Sequence, residues 1–578
     1  MAPSPQQGRR IYEFGPFRLD ATERLLLRAG RRVRLTDKAF DTLVVLVRHA
    51  GHLVEKDVLL EEVWKGEAVE EGIIANNISA LRKALGDGKK APRYIETVHG
   101  QGYRFIGEVR EAQRALVVLP FQPLGGAADG GRLGLGITFA VISRLDAMGI
   151  SGLIVRPRSA IIRYDTPNQD YRKASLEQDA DYAVVGFFQQ SGGRVRVDVD
   201  FMSVHDERKI WARDFTEEMT DSLAVQQAVA DLIAREVALH FDRDAADDRS
   251  RMLGDYTAST KAYGLYVEGR YQWNKFTRAG FREAINCFNR ALKEDPGYAK
   301  AAVGISDCWT WLGIYSLRSP AEAFRRAEKW AKKALKLHPE LSGAYTSLAF
   351  IEAFSRRDQA QASAYFERAI GLKKNNLKAH LGYALFLTGM KQFGRALEEI
   401  DKALEIYSAS PILRVTKAMI LYEARQYDHA LAQFDEALRL DEDFDAIYHG
   451  QALAYMQQGR YDLAVRASKV AIEKSHNNLL NHTVLACAYA KKGAKAKARG
   501  VLGELKDLNK GNRYVSPFHL ATVYAALGER RRAYASLEQA GEQRDPWYIW
   551  MHVEPRLDPL RSDPQFEERF RVFKPRDS

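Results

Sequence analysis

Six glycines, Gly125, Gly126, Gly130, Gly131, Gly134 and Gly136, follow the apolar run Ala115–Leu124. A glycine-rich turn after a strand is where backbone amides can cradle a phosphate. That chemistry asks for more than glycine. A Walker loop ends in Gly-Lys-Ser/Thr, which does not occur here, and a dinucleotide fingerprint begun at Gly134-x-Gly136 needs glycine where the chain has Phe139. The run therefore reads as a flexible turn before a helix. No serine lies in G-x-S-x-G, and no His/Asp/Glu cluster has metal-ligand spacing. Cys287, Cys308 and Cys487 are scattered, match neither a zinc site nor a disulfide framework, and fit a reducing compartment. No catalytic residue, cofactor or metal is expected, and the chain reads as a non-enzyme.

A second set of residues points to recognition rather than reaction. Ile74, Ile78, Leu81 and Leu85 recur at spacings of four, three and four, which predicts a helix from near Glu70 to Gly86 with one buried side. At about 100° per residue the opposite face carries Gly72, Asn76, Ser79 and Lys83, flanked by Ala75, Ala80 and Arg82, with Ile73 at its start. A face that is small, polar and basic can enter a major groove about 12 Å wide. Asn76 has the paired donor and acceptor that reads adenine, and Ser79 suits several bases. Arg82 and Lys83 suit phosphates, which fix register without reading sequence. Arg104 and Lys89–Lys90 are further candidates for backbone contact.

The elements around this helix must hold it. Ile11–Phe14, Phe17–Asp20, Arg24–Arg28 and Arg31–Arg34 read as a four-stranded meander with short turns. Thr36 suits the N-cap of a first helix with Phe40, Leu43, Val44 and Val47 on one face and Gly51 at its end. A second helix is expected at about Lys56–Trp64, and a hairpin at Tyr94–Val98 and Tyr103–Ile106. LTDKAFDTLVVLV, LLEEVW, NNISALRKALGD and YIETVHGQGYRF together resemble the OmpR/PhoB-type winged helix. The resemblance implies double-stranded DNA as a partner, with His99 standing where the family often places an arginine that reaches the minor groove. It also makes the loop Lys65–Val69 a candidate contact for RNA polymerase, and a dimer on DNA an expectation. Trp64, Tyr103 and Phe105 read as core.

The rest of the chain divides in two. Between residues 114 and 242, strands at Ala115–Leu124, Leu153–Val155, Tyr182–Gln189, Arg194–Ser203 and Lys209–Phe215 alternate with helices at Ile137–Met148, Ala174–Asp179 and Leu223–Phe241. This order resembles the TolB-N-like α/β domain, for which small-molecule sensing, coupling or assembly is expected. Asp242–Asp255 reads as a linker. Beyond it, Ala396, Ala430, Ala464 and Ala498 lie 34 positions apart, and Ala403, Ala437, Ala471 and Leu505 form a second series in phase. Phe288, Ile400, Phe434 and Leu502 mark the large residue between the small ones, and Gly389, Gly459 and Gly493 precede new helices. A 34-residue period of two helices resembles the tetratricopeptide repeat. Seven or eight units are expected over Ala262–Ala540, with irregular first members around Tyr271–Phe276 and Ile314–Ala321.

The fold class is thus multi-domain: an α+β winged helix (8–110), an α/β middle domain (114–242) and an all-α tetratricopeptide-repeat solenoid (257–572). A chain of 578 residues with 46% hydrophobic and 28% charged residues suits several globular domains, and a net charge of +11 permits an anionic partner without requiring one. The polar start Met1–Arg10 lacks a signal-peptide core, and no apolar run is long enough for a membrane span, so a cytoplasmic protein is expected. The architecture resembles HilA- and CadC-like regulators: the helix at about 70–86 in the major groove, the hairpin 94–106 on the backbone or minor groove, and repeats that sense a protein, peptide or other effector. The alternative is a repeat-based interaction scaffold with a winged helix that does not read DNA. An enzyme centred on residues 114–242 is a third reading.

Overall fold

The computed structural model describes residues 11–21, 24–28, 31–64, 72–88, 91–112, 114–124, 130–148, 150, 153–166, 169–191, 194–218, 222–241, 259–274, 277–315, 317–475, 478–510 and 514–570. The expected loop Lys65–Val69, Lys89–Lys90, Gly125–Gly126, Phe276 and the linker Asp242–Asp255 lie outside them.

Strands β1 (Ile11–Phe14), β2 (Phe17–Asp20), β3 (Leu25–Arg28) and β4 (Arg31–Arg32) form the expected meander. A fifth strand, β8 (Arg110–Ala112), was not expected; it pairs antiparallel with β1, so the sheet runs β4-β3-β2-β1-β8. Helix α1 (Asp37–Arg48) starts where Thr36 accepts a bond from the Ala39 amide and turns out at Gly51, whose φ of +82° suits glycine. Helix α2 (Lys56–Leu59) continues as a wide π turn through Leu60–Trp64, and α3 spans Gly72–Leu85. A second unexpected strand, β5 (Leu53–Glu55), pairs with β7 (Gly102–Phe105), which in turn pairs with β6 (Ile95–Val98).

The next described strand after β8 is β9 (Arg114–Val118), the second strand of the middle sheet. That sheet runs β11 (Leu153–Val155), β9, β12 (Tyr182–Ser191), β13 (Arg194–Ser203), β14 (Arg208–Glu218), with the short β10 (Gln122–Pro123) pairing parallel with β12, and the short helices α5 (Arg158–Ile161) and α6 (Tyr171–Glu177) lie between β11 and β12 in the chain. β9 pairs parallel with β11 and β12, and β12, β13 and β14 pair antiparallel. On β13, Val195, Val197, Val199 and Phe201 are buried while Arg194 and Arg196 are exposed, the two-residue period of a sheet covered on one face. Helices α4 (Gly130–Met148) and α7 (Ser222–Phe241) pack against each other. The glycine run is corrected here. Gly134 and Gly136 sit inside α4 rather than in a turn: a Cβ on Gly134 would lie 2.1 Å from the Phe121 carbonyl oxygen, and one on Gly136 would lie 2.3 Å from the Gln226 side chain. These glycines let the helix approach its neighbours.

Among the described residues, eight helix pairs follow, from Thr260–Asn274 with Arg278–Glu294 to Pro517–Leu527 with Arg530–Glu542. Ala396, Ala403, Ala430, Ala437, Ala464, Ala471 and Ala498 are wholly buried, as are Ile400 and Phe434. Small residues four and three apart from a large one let the two helices of a pair close on each other. Gly459 and Gly493 end their helices in the left-handed region, at φ of +74° and +90°. Gly389 differs: its φ is ordinary, the left-handed residue of its turn is Lys391, and a Cβ on Gly389 would lie 2.8 Å from Ile549 Cγ1. After Glu542 the repeat pattern stops. Two 3-10 turns, Pro546–Trp550 and Pro555–Leu557, and two short helices, Asp558–Arg561 and Pro564–Phe570, complete the described chain.

Candidate nucleic-acid interface

Helix α3 places the expected stripe inward: Ile74, Ile78, Leu81 and Leu85 are buried in one core with Phe14, Leu43, Trp64 and Phe105. On its other side Gly72, Ala75, Asn76, Ser79, Ala80 and Lys83 are exposed. Among the described residues, none hydrogen-bonds the side chains of Asn76, Ser79 or Lys83. Asn77, beside Asn76, is turned to its own helix and donates to the Ile73 carbonyl at 2.9 Å. Ile73 is half-buried and packs against the core, so little of it faces outward.

Arg82 Nη2 donates to the Ile95 carbonyl and to Thr97 Oγ1, both at 2.8 Å, and its Nε is buried. With these bonds Arg82 braces the helix against the hairpin. Its planar fork spans from α3 to β6 and sets the distance between helix and hairpin.

A second tie was not singled out in the sequence. Gly86 ends α3 at φ +67°, and the Asp87 amide reaches back to the Arg82 carbonyl at 2.8 Å. The Asp87 carboxylate then accepts from the backbone amides of Arg93 at 2.6 Å, Tyr94 at 3.3 Å and Ile95 at 2.8 Å. One side chain thereby ends the helix and starts the hairpin. The signal was present as the Gly-Asp pair directly after the apolar stripe, since Asp commonly bonds nearby backbone amides.

The hairpin is a wing with a defined tip. Gly100 has φ +77°, and His99 and Gln101 are exposed beside it. Arg104 lies across from Glu96 and pairs with it at 3.3 Å, leaving the guanidinium half-exposed. Gly102 is required by packing: a Cβ there would lie 2.1 Å from the Val54 carbonyl oxygen of β5. Behind the wing, Phe14, Phe17, Tyr94 and Phe105 form an aromatic cluster with ring centroids 5.0–6.1 Å apart, joining the meander to the hairpin. Lys38 donates to the Val63 carbonyl at 3.0 Å and lies over the Trp64 ring, which fixes the end of the π turn before α3.

The meander is tied to the middle sheet by charge. Arg114 makes a buried two-pronged bond to Asp20, at 3.0 and 3.2 Å. Arg18 donates to Asp181 at 2.7 Å, and Asp181 also accepts from the Ala115 amide at 2.7 Å. Burial pushes the Asp181 carboxyl up, but a bond from His205 and the Arg18 charge hold it below the usual carboxylate range. Arg32 and Asp206 add an outer pair at 2.9 Å. Among the described residues no group of three or more His, Cys, Asp or Glu side chains could hold a metal ion.

A braced helix whose polar face is unengaged among the described residues, a wing beside it and a strand meander behind it define a winged-helix DNA-binding module. Residues 30–105 match the family model described as "Transcriptional regulatory protein, C terminal", and residues 415–476 match that of the "Tetratricopeptide repeat". The N-terminal module thus belongs to the OmpR/PhoB-type transcriptional regulatory family, and the helical array is built of tetratricopeptide repeats. Along most of its length the chain is similar to "Transcriptional regulator HilA" of Salmonella typhimurium, 23% identical over 553 residues that cover 93% of this chain and 95% of that protein. "Transcriptional activator CadC" of Escherichia coli is 36% identical over 80 residues, 14% of this chain and 16% of CadC. "Putative adenylate cyclase 3" of Rhizobium meliloti is 27% identical over 195 residues, 34% of this chain and 32% of that protein. No helix among the described residues is long and apolar enough to cross a membrane.

Proposed function

We propose that this chain is a sequence-specific, double-stranded-DNA-binding transcription regulator of the cytoplasm, not an enzyme, in which three units divide the work. The winged helix (8–110) reads DNA, the middle domain (114–242) couples, and the repeats (257–572) take up a protein or peptide effector. The observation that carries this reading is the face of α3 on which Asn76, Ser79 and Lys83 are exposed and bonded to nothing among the described residues. A polar face held rigidly from behind, yet unengaged, is prepared for an outside partner.

In this reading α3 enters the major groove. Asn76 and Ser79 face base edges, and Gly72, Ala75 and Ala80 permit close approach. Lys83 meets a phosphate, and Ile73 contributes only its exposed edge. Arg82 positions the wing, whose tip residue His99 and flank residue Arg104 lie over the backbone and minor groove. The relatives named as transcriptional regulators support the DNA-reading role, and the ionic seam at Asp20, Arg114, Arg18 and Asp181 supports coupling by the middle domain. Contact with RNA polymerase through the loop 65–69 and pairing of two copies on adjacent half-sites complete the proposal.

The test is binding of the full chain to fragmented genomic DNA, followed by titration of the best fragment across salt. A site preferred over bulk DNA by about 10³-fold or more is expected. Asn76→Ala is expected to cost about 1–3 kcal/mol at that site only, whereas Lys83→Ala weakens every sequence and lowers the salt slope by about 1. Indifference to sequence, with both variants equal to wild type, would instead assign the chain to the scaffold reading.

A further inference from the structure

The chain after the last helix pair turns back into the repeats. From Pro546 to Leu557 every residue except Trp547 is buried, including the charged Glu554 and Arg556. Apart from the adjoining helix Arg530–Glu542, the earlier elements that pack on it are first helices of their pairs or the turns that follow them. Trp547 Nε1 donates to the Ile314 carbonyl at 3.0 Å, at the end of Ala299–Ile314. Trp550 packs on Phe354, and Ile549 on Gly389 at the end of Leu377–Gly389. Tyr422, in Pro411–Glu423, donates to Glu554 at 3.0 Å. In a stack of helix pairs the first helices line one wall, so the segment occupies the inner surface of the array.

Three positions of that wall show a further pattern. Arg357, Lys391 and Arg425 lie 34 residues apart, one per repeat, at the turn after the first helix, with φ of +63°, +61° and +66°. The later repeats place Gly459, Gly493 and Gly528 at the corresponding turn. A long side chain in the left-handed region is unfavourable, and such strain is kept where the side chain has a task. Arg425 donates to the Val553 carbonyl at 2.6 Å and to Asp558 at 2.7 Å. Arg357 lies 4.3 Å over the Tyr548 ring and donates to the Ala540 and Gly541 carbonyls. Both address the C-terminal segment.

The segment is held by polar contacts as well as by packing. Arg425 aims a cationic donor at the Val553 carbonyl and the Asp558 carboxylate, and Tyr422 aims its hydroxyl at Glu554, the chemistry of a peptide groove.

We propose that the inner surface of the repeats is a recognition groove occupied in cis by Pro546–Leu557, and that it fits an extended partner segment of the same chemistry: aromatic side chains followed by a carboxylate. The partner's aromatic residues take the places of Trp547 and Trp550, and its carboxylate that of Glu554 on Tyr422. Arg425 holds a backbone carbonyl of the partner as it now holds that of Val553, Arg357 lies over one of its aromatic rings as it now lies over Tyr548, and the chain's own segment is released. This rests on the reading of the repeats as the effector-receiving unit and names the site and the ligand class.

The experiment uses the full chain and a fluorescent synthetic peptide copying Asp545–Asp563, with no DNA present, so its result is independent of DNA reading. The double variant Trp550→Ala/Glu554→Gln loosens the resident segment and is expected to bind the peptide at least tenfold more tightly than wild type. Adding Arg425→Ala should abolish that gain. Equal binding by wild type and double variant, with helical circular dichroism intact, would overturn the proposal. So would a dimer formed only by the double variant, because the occupant would then be the same segment of a second copy. Hydrogen exchange of the wild-type chain decides the matter should the variant fail to fold. Amides 546–557 are expected to open before the helices of the array, and exchange only together with those helices marks a fixed core and sinks the proposal.

Discussion

On α3, Asn76, Ser79 and Lys83 stand exposed and unbonded among the described residues, while on the inner wall of the repeats Tyr422, Arg357 and Arg425 all engage the chain's own C-terminal segment. Both surfaces are polar and both rest on helices packed from behind. They differ in what the rest of the chain does in front of them. Nothing among the described residues covers the recognition face, so its readiness is a matter of rigidity: Arg82 and Asp87 fix the helix relative to the wing. The groove is filled, so its readiness depends on an equilibrium that a partner must shift. Substitutions in the first region should change affinity at constant occupancy, and those in the second should change occupancy itself.

The largest expected effect lies in the groove. Glu554 forms a two-pronged buried bond with Arg556, at 2.9 and 2.7 Å. Glu554→Ala strands the guanidinium and is expected to lower the unfolding free energy of the repeats by about 3–5 kcal/mol. Urea unfolding followed by circular dichroism measures it, and DNA affinity should not move. The same pair carries a pH signature. Burial pushes the Glu554 carboxyl up, but Arg556 holds it at about 2. Its folded value lies below the unfolded one of roughly 4.3. Its contribution is therefore complete above that pH and is lost as pH falls through about 2. Glu554→Gln should flatten this part of the stability profile, and an unchanged acid limb would break the assignment.

A smaller effect is expected where the wing begins. Asp87→Ala leaves the amides of Arg93, Tyr94 and Ile95 without their acceptor and should cost about 1–3 kcal/mol of winged-helix stability. It should also weaken DNA binding, since the wing loses its fixed distance from α3. Loss of stability with undiminished DNA affinity would show that the wing takes no part in binding. The smallest effect is at Arg104. Its half-exposed cross-strand pair with Glu96 is worth about 0–1 kcal/mol, so Arg104→Gln should barely change the melting curve. A salt slope reduced by about 1 is expected from a lost phosphate contact, and an unchanged slope would confine Arg104 to the hairpin.

Different parts of the molecule were legible to different degrees. The stripe Ile74, Ile78, Leu81 and Leu85 and the opposite face of α3 follow from a period of 3.6, and the structure keeps both. The alanine series of the repeats was legible for the same reason. Strand β5 was not, because Leu53–Glu55 is three residues long and exists only through its bonds to β7. β8 likewise depends on β1, which lies about a hundred residues earlier in the chain. Arg82 was legible as a basic residue on the helix flank, but its bonds to Ile95 and Thr97 were not, because they depend on where the hairpin packs. Gly134 and Gly136 looked like a loop because glycine is usually a breaker; inside α4 they are needed because a Cβ would meet Phe121 and Gln226.

By itself the amino-acid sequence determined the parts set by contacts between near neighbours: the faces of α3, the cap at Thr36 and the 34-residue period. Periodicity and capping are local, because helix and strand place residues a few positions apart on one side. The tertiary structure alone decided what meets across long separations. It closed Arg114 on Asp20, turned Arg82 into a brace, and brought Trp547 to the Ile314 carbonyl from 233 residues away. Such contacts carry no spacing that a sequence can display. They arise when packed surfaces bury a charge or an aromatic ring and a partner must be found wherever the fold supplies one.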